Sequence, residues 1–174
     1  MFARYTAAIL TAASVALAAP ARGQTTFTAF LNGAQEVPSR ATPASGTGSV
    51  VLNATRTQIV VNLQFTGLTA PMTIAHIHEA AFGVNGSVRF DLGPLIALTG
   101  GGLNGTLTNA MFAVTSLQAT ALEAGNMYFN VHTSTYPGGE IRGQITAVPE
   151  PASMVLLATG LAGIGLFVRR RRSN

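Results

Sequence analysis

In the segment Thr25-Thr26-Phe27-Thr28-Ala29-Phe30-Leu31-Asn32, Phe27, Ala29 and Leu31 recur at every second position. Successive side chains of an extended chain point to opposite faces, so this period lays the apolar set on one face of a strand. A helix would need apolar residues at intervals of three and four. The alternation returns around Val51 and through the run Ile59-Val60-Val61-Asn62-Leu63. Turn-forming clusters break it at Asn32-Gly33, Ser45-Gly46-Thr47-Gly48, Asn85-Gly86, Gly100-Gly101-Gly102 and Pro137-Gly138-Gly139. The pattern predicts strands near residues 25–32, 47–53, 58–66, 73–78, 86–91, 103–108, 127–133 and 140–147. It predicts one short helix over residues 116–124, with Ser116 as its cap and Gly125 as its stop. Many short strands separated by Gly-rich turns define an all-β class and point to a two-sheet sandwich with Greek-key crossings.

With 174 residues the chain has room for one domain once its two ends are set aside. It contains no cysteine, which removes disulfides, thiol nucleophiles and thiolate metal sites. The sequence pI of about 10.7 suggests nucleic acid, but the basic residues are distributed against that reading. Arg4 and Arg22 lie near the start, and Arg169, Arg170, Arg171 and Arg172 cluster at the end. Between them Arg40, Arg56, Arg89 and Arg142 stand against Glu36, Glu79, Asp91, Glu123 and Glu140, a net charge of −1. No basic face exists there to displace counterions from a phosphate backbone, so nucleic acid is excluded as a partner.

The two ends read as trafficking signals. Residues 1–23 have the form of a signal peptide: Arg4, an apolar stretch from Ala7 to Ala19, and A-x-A cleavage sites at Ala16-Leu17-Ala18 and Ala19-Pro20-Ala21. Residues 148–174 form a tail in three parts. Val148-Pro149-Glu150-Pro151 breaks regular structure. The uncharged run from Ala152 to Val168 is just long enough to span a thin bilayer. The cluster Arg169 to Arg172 holds the end of that run at the cytoplasmic face. A domain over residues 24–147 is thereby placed outside the cytoplasm.

Two family resemblances follow. The ordered VPEP motif, apolar helix and arginine cluster resemble the PEP-CTERM sorting signal. That resemblance implies a Gram-negative host, with signal peptidase and exosortase as partners and Pro149, Glu150 and Pro151 as the sorting motif. It also implies a transient stay in the inner membrane, then release or re-anchoring in the periplasm, at the cell surface or in the extracellular matrix.

The central segment carries a second set of strings. These are Leu31-Asn32-Gly33-Ala34-Gln35-Glu36-Val37-Pro38, Ala44-Ser45-Gly46-Thr47-Gly48, Phe65-Thr66-Gly67-Leu68, Ala75-His76-Ile77-His78 and Gly83-Val84-Asn85-Gly86. Asn130-Val131-His132-Thr133 and Tyr136-Pro137-Gly138-Gly139-Glu140-Ile141-Arg142-Gly143-Gln144 complete them. In this order they resemble the CHRD domain, named for chordin and found also in exported bacterial proteins. The resemblance implies an immunoglobulin-like or superoxide-dismutase-like β-sandwich and no particular activity.

All three histidines fall in these strings, at His76, His78 and His132. Residues two apart on a strand share a face, so His76 and His78 stand together with Ala75 and Ile77 directed inward. Met127, Phe129 and Val131 likewise leave Tyr128, Asn130 and His132 on the opposite face, and Ile141 and Ile145 turn inward from Glu140, Arg142 and Gln144. If strands 73–78 and 127–133 are neighbours, three imidazoles converge with Glu140 as a fourth ligand, a set suited to zinc or copper. The alternative is that the imidazoles hydrogen-bond turn carbonyls within polar strand faces. His-Ile-His after Phe-Thr-Gly-Leu is also similar to copper/zinc superoxide dismutase, but the further spaced metal ligands and paired cysteines of that family are missing.

No nucleophile elbow or phosphate-binding loop occurs, and Gly100-Gly101-Gly102 reads as a turn. Arg142 is expected to pair with a carboxylate on the sheet surface, and Tyr136-Pro137-Gly138-Gly139 to make the tight turn before Glu140. The first expectation for function is a non-enzymatic envelope or matrix protein whose domain binds a polysaccharide or another envelope protein. The alternative is a zinc- or copper-binding domain with a redox or storage role.

Overall fold

The computed structural model describes residues 23–149, 159–162, 164–165 and 169–171. The expected signal segment through Arg22, and Glu150, Pro151 and Arg172 of the tail, lie outside the described residues. Among the described residues no helix is long and apolar enough to cross a membrane.

The strands are β1 (Thr25–Asn32), β2 (Ser45–Leu52), β3 (Gln58–Thr66), β4 (Met72–Glu79), β5 (Ser87–Asp91), β6 (Ala97–Thr99), β7 (Asn104–Ala113), β8 (Met127–Thr133), β9 (Ile141–Gln144) and β10 (Thr146–Ala147). The helix α1 (Ser116–Glu123) joins β7 to β8. The strands form one antiparallel path in the order β5-β4-β8-β9-β1-β2-β3-β7-β6, with β10 paired to β1. The fold is all-β, as the period of two requires. Its two layers belong to a single curled sheet, and the link between them is thin: β1 meets β9 only at Asn32↔Arg142 and β10 at Phe27↔Ala147 and Thr28↔Thr146.

The curl closes over one apolar core. Phe27 and Leu31 of β1, Val50 and Leu52 of β2, and Ile59, Val61 and Phe65 of β3 face Ala75, Ile77, Phe129, Val131 and Ile141 of the other layer. Phe90 of β5 meets Phe112 of β7 with ring centroids 5.4 Å apart, so strands far apart in the sheet path touch across the core. Gly48 of β2 lies beneath Phe129 of β8, where a Cβ would run into the aromatic ring.

Three local expectations need correction. The cap of α1 is Thr115, whose hydroxyl accepts from Gln118 N while the Gln118 side chain accepts from Thr115 N, a capping box one residue before the expected Ser116. Gly125 ends the helix at φ +72°, as expected. The last strand is split at Ile145 into β9 and β10, and the short β6 lies where the sequence pattern predicts no strand. The face opposite the core is also not a solvated surface on β8 and β9, because every residue of both strands is buried. The turn after β1 and the β4–β5 loop lie over it, joined by Asn85 Nδ2 donating to Val37 O at 2.9 Å.

Candidate metal centre

The register of β4 and β8 assembles the histidines. His76 stands opposite Asn130, His78 opposite Tyr128, and Ile74 opposite His132. His132 is therefore the diagonal neighbour of His76, and His78 its same-strand neighbour two residues on. The ring centroids of His76 are 5.3 Å from both His78 and His132, and those two rings are 5.9 Å apart. Taking one ligand nitrogen from each ring, all three lie within 4.8 Å of one another. A tetrahedral zinc with bonds of about 2.0–2.1 Å would draw such nitrogens to about 3.4 Å, a side-chain adjustment with no change of register.

Two rings are already oriented for this. His78 Nδ1 lies 2.9 Å from Gly86 O, and His132 Nδ1 lies 2.9 Å from Pro137 O. A carbonyl only accepts, so each Nδ1 carries the proton, and in the neutral ring the lone pair is left on Nε2. Both Nε2 atoms are buried without a partner, as is His76 Nδ1, so each ring holds one orphaned buried nitrogen. Burial lowers the pKa of all three imidazoles. Asp91, opposite His76 in the β4–β5 ladder, works against this for His76. The Gly86 and Pro137 carbonyls do the same for His78 and His132. The cluster is thus held as neutral bases, the form that ligates metals. The expected bonds to turn carbonyls form for His78 and His132, while His76 Nδ1 has none.

Glu140 does not join them. It is fully buried, and its carboxylate accepts from Thr42 Oγ1 at 2.6 Å, Thr69 N at 2.9 Å, Thr69 Oγ1 at 3.0 Å and Thr133 Oγ1 at 2.8 Å. These bonds pin the loops before β2 and β4 to the end of β8, a structural task that strand parity does not reveal. The preceding turn forms as expected, with Gly139 N donating to Tyr136 O at 3.0 Å.

Arg142 is also not a surface residue. Only 1% exposed, its guanidinium lies 3.5 Å from the Tyr128 ring centroid and donates to Asn85 Oδ1, Ala81 O and Gln144 Oε1. Tyr128 in turn stacks on His78 and accepts from Gly86 N at 3.1 Å. Glu36, unremarked in the sequence, is buried nearby, and desolvation pushes its pKa up to about 7 against the pull of Arg142 and Arg40. Its Oε1 and Asn130 Oδ1 are both without partners. The clue to this second layer was Arg142 itself, an arginine on a strand whose alternate residues are apolar or small.

A curled antiparallel β domain with a covered polar face bearing clustered histidines, followed by a Pro-Glu-Pro, apolar and arginine tail, is the kind of protein these observations define. Within that class, the chain belongs to the CHRD domain family, which matches residues 27–145. The PEP-CTERM protein-sorting motif matches residues 147–172 and marks the chain as an exported, exosortase-processed protein that passes through a membrane-anchored intermediate. No curated protein matches the chain.

Proposed function

We propose that this CHRD domain is an exported transition-metal-binding module that holds zinc or copper through His76, His78 and His132. The observation that carries the reading is a cluster of three imidazoles with a ligand nitrogen of each within 4.8 Å of the others, each ring holding one buried, orphaned nitrogen and two of the rings fixed by backbone carbonyls. Leaving such nitrogens buried and unsatisfied costs stability, and a metal removes that cost. The set of three nitrogens without thiolate fits zinc or copper(II). The test is the metal content of the exported protein, purified without a histidine tag. Close to one zinc or copper per chain supports the reading, and metal far below stoichiometry after incubation with either ion contradicts it.

A second reading, compatible with the first, rests on the outer face of β1, β2, β3 and β7. Thr28, Thr47, Ser49, Asn62, Gln64 and Thr106 line a shallow cleft of about 400 Å³ there, with no charged side chain among its lining residues. Hydroxyls and amides without charge favour a neutral polysaccharide over a polyanion. Retardation in gels containing a neutral glucan, and none in alginate gels, supports this non-enzymatic envelope role; equal migration in all gels contradicts it.

A further inference from the structure

We infer that the three-histidine centre is an open site, whose remaining coordination position is filled from outside the protein by water or a small Lewis-basic ligand. The inference rests on the metal-binding reading above and concerns what the bound ion can then do. A structural zinc site is closed by four protein ligands, whereas a site with three keeps one position for an exchangeable ligand. Among the described residues no aspartate or glutamate joins the three imidazoles as a fourth ligand. Glu140 is held by three threonine hydroxyls and a backbone N–H. Glu79 is paired with Arg89 at 2.8 Å. Asp91, though opposite His76, accepts from Gly93 N at 3.0 Å and lies outside the ligand set. The Tyr128 hydroxyl is taken by Gly86 N, and the chain has no cysteine.

The direction of the opening is set by burial. His78 and His132 are 9% and 8% exposed, while His76 between them is only partly buried. The side of the cluster nearest solvent is therefore that of His76, and the free position is placed there. Strand mounting sets the three rings on one face and backbone carbonyls fix two of them, so an incoming ligand meets a facial set with one face free. Small monodentate ligands are the class it takes: water, hydroxide, or an anion such as azide.

Cobalt(II) tests this, since it replaces zinc and reports its coordination by visible absorption. The exported protein, stripped of metal, is titrated with cobalt and then with sodium azide. The expected result is an intense four-coordinate cobalt band that changes with azide to a saturating end point at one azide per metal. In Asp91→Asn the azide response should persist, because Asp91 is not a ligand. An intense cobalt band unmoved by azide would overturn the open site while leaving metal binding intact. Absence of any protein-dependent cobalt band would overturn the metal centre and the open site together.

Discussion

The His78 ring lies flat against Tyr128, with centroids 5.0 Å apart and planes 11° from parallel, and the Tyr128 hydroxyl accepts from the N–H of Gly86, the residue whose carbonyl faces His78 Nδ1. Tyr128 thus fixes His78 twice, by stacking and by holding the carbonyl that sets its tautomer. Residues that orient a metal-ligating histidine are typically worth 10–100-fold in affinity. Tyr128→Leu should weaken zinc binding by about 10–100-fold, and Tyr128→Phe, which keeps the stacking, by less than about 10-fold. Competition against a chromogenic zinc chelator measures both. Unchanged affinity in Tyr128→Leu would show that the ring plays no part in the site.

Packing between the layers gives a separate prediction. Because a Cβ at Gly48 would enter the Phe129 ring, Gly48→Ala should destabilise the domain by about 1–3 kcal/mol through overpacking. Phe129→Ala should cost about 3–5 kcal/mol through the cavity it leaves. The double variant should cost less than the sum, since the smaller side chain makes room for the new methyl. Denaturant unfolding of metal-free protein decides it, and strict additivity would mean that the two residues do not meet.

Stability against pH contains two opposing contributions. Glu36 has a folded-state pKa of about 7 against an ordinary value of 4.5, so the folded state holds its proton more tightly. Its contribution is fully present below about 4.5 and is lost as pH rises through about 7. The three histidines act the other way. Their folded pKa values lie below 6.5, so the folded state loses stability as pH falls below that point. Glu36→Gln removes the first contribution and supplies an N–H where Glu36 Oε1 and Asn130 Oδ1 lack partners. The variant should be about 1–3 kcal/mol more stable than wild type at pH 8. Its metal-free stability should rise steadily from pH 5 to pH 7.5, where wild type is flatter. A variant less stable than wild type at pH 8 would contradict the burial argument.

Sorting is tested at the tail. Replacing Pro149, Glu150 and Pro151 together with Ala should leave the protein unprocessed and membrane-associated in a host with an exosortase, read as an unshifted mass. Processing identical to wild type would mean that these three residues are not the recognised motif.

The strand faces were legible in the sequence because side-chain parity is a local property: Phe27, Ala29 and Leu31 point inward wherever β1 is placed. Parity also put His76, His78 and His132 on the face opposite the core. It could not say what covers that face. Arg142, Gln144 and Glu140 read as surface residues because their strand neighbours were apolar, yet loops distant in sequence bury all three. Glu140 is expected as a ligand for the same reason: its parity is right, but its position just before β9 sends it to Thr42, Thr69 and Thr133. The bracing carbonyls of Gly86 and Pro137 carry no side-chain signal at all. Sequence spacing therefore reveals which residues share a face, while their hydrogen-bond partners depend on loop closure.

The most direct test of the account is a calorimetric zinc titration of the untagged exported protein after metal removal, run beside His78→Ala and the triple variant His76→Ala/His78→Ala/His132→Ala. The account predicts one zinc per chain for wild type, a larger loss of affinity in His78→Ala than in Tyr128→Leu, and no binding in the triple variant. All should share the β-type circular dichroism of the metal-free wild type. Equal zinc binding by wild type and the triple variant, or none by wild type, would contradict it.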